Sequence, residues 1–220
     1  MWRQNKVKIT VTSLVTLVPC LTGLILWNRL PELIPTHFNF QGVADDWSSK
    51  PFAVFALPGF FFVCQLICVF VILHDPKNES VGGKIVSILL WFLPVTSLVT
   101  SICIYMYALN MQINISFIYI TLIGIIQIVL GNLMPKLRHN YTVGIKTSWT
   151  LADPENWYHT HHVAGWSCVI SGVLILATSL LMSPWLMLIL VTAGIAVPIV
   201  YSFIYYRRHK SCLLYTSDAA

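Results

Sequence analysis

The sequence predicts an all-α integral membrane protein, a bundle of six transmembrane helices with the N- and C-termini in the cytoplasm. Composition is the first reason: 57% of the 220 residues are apolar and 10% charged, with a mean hydropathy of +0.76. No polar coat remains to cover a water-soluble core. The second is length, since six apolar runs reach the roughly 20 residues that a helix needs to cross a hydrocarbon layer of about 30 Å. The third is charge placement: with the N-terminus inside, all of the 13 Lys and Arg except Arg29 and Lys50 fall on the cytoplasmic side. Such a bias fixes topology in short loops. The net charge of +5 is then an anchoring asymmetry, and no direct nucleic-acid partner is expected.

The expected spans are residues 9–28, 52–73, 85–106, 115–135, 163–181 and 184–206, within one membrane domain over 1–206. Their runs are apolar all round, which excludes a β-barrel, whose strands alternate. Arg3, Lys6 and Lys8 precede the first run as in a signal peptide. The run is too long for one, and no small-residue cleavage site follows Trp27, so it reads as a retained helix. The extracytoplasmic loop 29–51 carries Pro31, Pro35, Gly42 and Pro51 and is expected to be a structured turn assembly rather than a helix. Residues 74–84, HDPKNESVGGK, read as a plain cytoplasmic turn, and 107–114 is an uncharged outer connection.

The cytoplasmic loop 136–162 ends in Asp153-Pro154-Glu155, an N-cap, a first-turn proline and an acid at the positive end of a helix dipole. A helix starting at Pro154 runs into the fifth span. It sets Trp157 and His161 one turn apart, with Gly165 and Cys168 continuing nearly the same stripe. Ser183 and Pro184 alone join the last two spans, forcing an antiparallel hairpin. Beyond Lys210 the composition changes; residues 211–220 continue no helix in this reading and are taken as a non-native or disordered tail.

No expected span holds Asp, Glu, Lys, Arg or His, which argues against a proton-coupled pump or ion channel. Gly124, Gln127 and Gly131 form a stripe suited to close helix contact, and Ser167/Ser171 and Cys168/Gly172 add small-residue pairs. Pro19, Pro58, Pro94 and Pro198 interrupt spans, freeing carbonyls that neighbours must satisfy. The cysteines within the spans behave as small apolar residues, and no disulfide is expected. In His159-Thr160-His161-His162 the rings do not converge on one face, so neither a metal nor any other cofactor is expected. Ser148 or Thr150 with His161, His162 and Asp153 would be needed for hydrolysis, but no nucleophile elbow surrounds them, and the chain is read as a non-enzyme.

Two segments then stand out. LPELIPTHFNFQGVADDWSSKP resembles the pattern P-x-x-(I/V)-P-x-H-(F/W)-(N/G)-x-x-G-x-x-D-x-W of a bacterial domain of unknown function found ahead of SdpI-family proteins. GNLMPKLRHNYTVGIKTSWTLADPENWYHTHHVAG resembles that family's signature. It matches at Gly131, Asn132, Pro135, Lys136, Asn140, Gly144, Ile145, Lys146, Thr147, Trp149, Thr150, Leu151, Trp157, Thr160, His161 and Gly165. Ser148 stands where the family has Pro, and Lys146 and His162 where it has Arg, which removes Arg's bidentate fork.

The resemblance implies a multi-pass protein of the bacterial plasma membrane that confers immunity to a secreted membrane-active peptide toxin. In some relatives it also implies holding a cytoplasmic transcriptional repressor at the membrane. Toxin is expected to meet the lipid-facing surface or the outer loop, where His37, Phe38, Asn39, Gly42, Asp45, Asp46, Trp47 and Lys50 supply polar and aromatic recognition groups. The alternatives are a small transporter or flippase, which needs polar groups converging at the midplane, and a membrane-embedded hydrolase.

Overall fold

The computed structural model describes the backbone of residues 2–39, 41–74 and 83–217, so most of the turn expected at 74–84 falls outside the described residues. Six helices are long and apolar enough to cross a membrane: Lys6–Ile25, Phe52–Leu73, Ile85–Ala108, Ile115–Lys136, Pro154–Leu181 and Pro184–His209. Leu21, Phe60, Phe70, Trp166 and Ile189 on these helices are exposed large apolar side chains, a surface suited to lipid rather than water. The chain divides into two compact units, Met1–Ser116 and Phe117–Ala220.

In the first unit the spans are broken where the sequence places prolines. Helices α1 (Trp2–Val15) and α2 (Val18–Ile25) make the first span, and α4 (Gly83–Leu89) and α5 (Phe92–Ala108) the third. Between them in sequence, a π-helical turn at Phe52–Ala56 leads into α3 (Leu57–Leu73). Pro94 has no N–H for the carbonyl of Leu90, four residues back. That carbonyl accepts instead from Gln65 Nε2 at 3.1 Å, and the same amide nitrogen donates to Thr12 Oγ1 at 3.2 Å. Around Pro19 the chain tightens: Leu17 N donates to Leu14 O and Cys20 N to Leu17 O, both at 3.0 Å. The carbonyl of Thr16 is left over and accepts from Ser97 Oγ at 3.0 Å, while Tyr105 Oη reaches Pro19 O at 3.1 Å.

These cross-helix bonds tie the three spans together where their own ladders fail. Gln65→Leu is therefore expected to cost about 1–2 kcal/mol, because it strands the Leu90 carbonyl in an apolar interior. Thermal unfolding of the detergent-solubilised protein measures this; an unchanged midpoint would mean that the carbonyl is satisfied without Gln65.

Loop 29–51 contains regular structure that the sequence reading missed. Strands β1 (Leu33–Phe38) and β2 (Ala44–Ser49) pair antiparallel, with register shifts between Pro35 and His37 and between His37 and Phe38. The irregular register lets Pro35 sit in a strand, opposite Trp47, at a place where a regular ladder has no use for it. Ile34 anchors the hairpin in a core with Leu30, Val54, Ile104 and Tyr105.

In the second unit, α6 (Ile115–Leu133) ends in a 3-10 turn, Met134–Lys136, and a loop leads to α7 (Ser148–Ala152), α8 (Pro154–Thr178) and α9 (Pro184–Ser217). Helices α6 and α8 approach through facing glycines. A Cβ on Gly165 would lie 2.6 Å from Pro135 Cγ, and one on Gly172 would lie 2.8 Å from Gly124 O. Gln127 Nε2 donates to Ser171 Oγ at 3.2 Å across the same contact. The proline pattern recurs in α9: Pro198 frees the carbonyl of Gly194, which accepts from Ser167 Oγ at 2.8 Å. Helix α9 runs on to Ser217, past Lys210, where the sequence reading ends it. No Gly or Pro follows Pro198, so propagating the formed helix costs little.

Candidate functional site

The signature segment folds into a closed loop on the N-terminal end of α8. At about 1.5 Å per residue, the 28 residues of Pro154–Leu181 exceed a hydrocarbon layer of about 30 Å. The first turns of α8 therefore have length to spare beyond that layer. Asp153 caps the helix, accepting from Glu155 N at 2.9 Å. Asn156, Trp157, Thr160, His161 and Gly165 are all buried on one side of it.

His161 is the centre of the loop. Its Nδ1–H donates to Trp157 O at 2.7 Å, and its Nε2 accepts from Ile145 N–H at 3.0 Å. The pair of bonds fixes the neutral tautomer with the proton on Nδ1. The imidazole stacks on Trp157, centroids 4.0 Å apart, and the indole Nε1–H donates to Leu137 O at 2.9 Å. Gly144 has φ +122°, and a Cβ there would collide with His161 Nε2. Glycine is required at this point both by conformation and by space.

The rest of the signature closes the same loop. Buried Asn140 accepts from Thr142 N and Val143 N at 2.9 and 2.7 Å and donates to Arg138 O. Thr147 and Thr150 form a reciprocal capping box on α7, and Thr150 Oγ1 also donates to Ile145 O at 2.9 Å. His139 Nε2 donates to Leu151 O at 3.0 Å. Lys146 Nζ donates to the carbonyls of Tyr141 and Thr142 at 3.2 and 2.9 Å, a role that needs no guanidinium fork. Trp149 lies against α9, its Nε1–H donating to Ser202 Oγ at 3.0 Å and its ring stacked on Tyr206. Gly165 packs on Pro135, and Lys136 is exposed after it. Asn132 is apart from this group: it is exposed and donates to Ile128 O within its own helix.

Sequence reading missed two members, Asn156 and Ser202. Buried Asn156 accepts from Thr160 Oγ1 at 2.9 Å and donates to Ser202 O at 3.1 Å, joining α8 to α9. Only the partner on another helix gives these residues meaning, and no spacing in the sequence signals it. The side chains a hydrolase would need are each hydrogen-bonded to backbone: Asp153 caps α8, Thr150 Oγ1 donates to Ile145 O, His161 Nε2 accepts from Ile145 N, and His162 Nδ1 donates to Tyr158 O.

The hairpin of the first unit presents a different surface. Asn39 Oδ1 accepts from Gln41 N and Val43 N, both at 3.0 Å, and Gly42 adopts φ +76°, which makes the tip. Phe38 meets Tyr107 edge to face, centroids 5.1 Å apart. His37 Nδ1–H donates to Asp45 Oδ1 at 2.6 Å; both are exposed, as are Asp46 and Trp47. Lys50, grouped with these surface residues on sequence, is instead 5% exposed. Its Nζ donates to Trp27 O at 3.2 Å and Glu32 Oε1 at 2.9 Å and stands over the Trp27 ring. Because Glu32 is itself exposed, Glu32→Gln should loosen the hairpin by at most about 1 kcal/mol. Lys50→Met should cost about 1–3 kcal/mol through the lost bond to the Trp27 carbonyl. Amide exchange of the strands reads both; equal effects would move the anchor to the ion pair.

Known proteins align with both regions. Residues 136–202 match the SdpI/YfhL protein family, and residues 14–62 match a domain of unknown function, DUF1648. Over 205 residues the chain is 26% identical to Immunity protein SdpI of Bacillus subtilis (strain 168), covering 90% of this chain and 95% of that protein. No solved structure matches the chain. Six helices able to span a membrane, a segment matching the SdpI/YfhL family and a likeness to that relative over most of its length thus make the chain a multi-pass bacterial membrane protein similar to Immunity protein SdpI.

Proposed function

We propose that the protein is an immunity protein that protects its own cell from a secreted membrane-active peptide by binding, without catalytic turnover. One observation carries the reading: the likeness to Immunity protein SdpI runs the length of both chains and includes both segments described above. The hairpin supports it, since Trp47, Asp46 and the His37–Asp45 pair form an exposed aromatic and polar surface of the kind that recognises a partner. The signature loop supports it too, because its imidazoles and hydroxyls are spent on its own backbone. With the charge asymmetry setting the topology, the hairpin faces outward and the loop faces the cytoplasm. There Lys136, Arg138 and Lys146 make an exposed basic rim on which a cytoplasmic transcriptional repressor docks.

Expression in a peptide-sensitive host, challenged with a panel of secreted membrane-active peptides, tests the core of this. The wild type should raise the tolerated concentration of at least one peptide about tenfold or more. A well-inserted protein that protects against none sinks the reading. An impermeant thiol reagent on intact cells should label Ser49→Cys and spare Ser148→Cys; the reverse pattern inverts the topology. Repressor docking predicts peptide-dependent retention of the repressor in the membrane fraction, and retention indifferent to peptide rejects it.

A further inference from the structure

Beside the hairpin tip the first unit holds an open cavity of about 530 Å³, within the size range of small-ligand pockets. Gln41 and Gly42 of the tip form one wall, and Tyr107, Met111, Gln112 and Asn114 of the connection into α6 form the other. Its shape is built in. Gly42 rests on Ser116, where an added Cβ would collide with Oγ, and Asn110 takes φ +58° to turn the opposite wall. Phe38 against Tyr107 pins the two walls together at the base of the tip.

The chemistry of the lining is selective. Among the described residues no charged side chain borders the cavity; three carboxamides do, beside Met111, Ile113 and Tyr107. A carboxamide both donates and accepts, which matches the alternating C=O and N–H of a peptide backbone. A charged lipid headgroup would find no counter-charge. Methionine is adaptable enough to take apolar side chains of differing shape, and Met111 is half exposed. Gln41 and Gln112 are exposed at the mouth.

Resting on the immunity reading, we infer that this cavity seats an uncharged, extended stretch of the peptide toxin, its backbone held by Gln41, Gln112 and Asn114 and its apolar side chains by Met111 and Tyr107. The specificity site is then the cleft between the hairpin tip and the second outer connection, and Trp47 and Asp46 are accessory to it.

The test uses the full chain in membranes and the peptide against which the wild type protects. A benzophenone amino acid replacing Met111 should crosslink to that peptide on irradiation, while one replacing lipid-facing Leu21 should not. Gln41→Leu/Gln112→Leu, at unchanged membrane level, should lose at least about tenfold in tolerated peptide concentration, and Gln112→Asn should retain part of it. If the wild type protects but the double variant protects equally well, the cavity assignment falls and immunity stands. Crosslinks from position 111 to phospholipid alone overturn it as well. A wild type that protects against no peptide overturns both.

Discussion

Trp157→Ala is expected to destabilise the second unit by about 3–5 kcal/mol, the range for emptying a buried aromatic site. The indole is 2% exposed and is held on three sides, by the stacked His161, by His139 edge-on at 5.0 Å, and by the close Cα of Gly144. Removing it also strands the Leu137 carbonyl. The His161 and His139 rings and the Leu137 carbonyl lose their common support, so the loop between α6 and α7 should loosen, and trypsin should cut at exposed Arg138 and Lys146 faster than in the wild type. Trp157→Phe keeps most of the packing and loses the bond; about 1–2 kcal/mol is expected. Chemical unfolding in detergent with a timed tryptic digest reads both variants. Equal losses would assign the effect to the hydrogen bond, and no loss in either would remove Trp157 as the keystone of the loop.

Gly172→Leu should be comparably damaging for the opposite reason. A Cβ at this position lies 2.8 Å from Gly124 O and 2.9 Å from Ile128 N. Both are backbone atoms of α6 and cannot rotate away, so the helices must separate and the Gly131–Gly165 approach two turns along must open with them. A loss of about 3 kcal/mol in thermal or chemical unfolding is expected. Gly59→Leu is the matched control, since nothing lies within 4 Å of a Cβ there. A similar loss in both variants would show that leucine at any span glycine is harmful and that the α6–α8 contact is not special.

What could be read from sequence followed from periodicity and composition. The spans are long apolar runs, and the Trp157–His161–Gly165 stripe is a matter of helical spacing, so both were legible. The hairpin was not, because Pro31, Pro35 and Pro51 read as breakers and the irregular register at His37 hides the alternation of LIPTHF. Asn39 to Gly42 was the available turn signal. The burial of Lys50 is hidden for a related reason. A lone lysine in an outer loop looks solvated, and its burial depends on Trp27 and Glu32, which only the folded chain brings to it. The cleft beside Gly42 is invisible for the same reason, since its walls come from two connections distant in sequence.

The carbonyls released by Pro94 and Pro198 carry a consequence for how this sequence can vary. Each proline has an obligate companion on another helix, Gln65 for Leu90 O and Ser167 for Gly194 O. Losing the companion alone leaves a bare carbonyl. Losing the proline alone lets the backbone reclaim it and leaves the companion's donor idle. In a double-mutant cycle Pro94→Ala should therefore rescue part of the damage of Gln65→Leu, a positive coupling. Across relatives the two positions should change as a pair, so that a single substitution in either helix is recorded in the other.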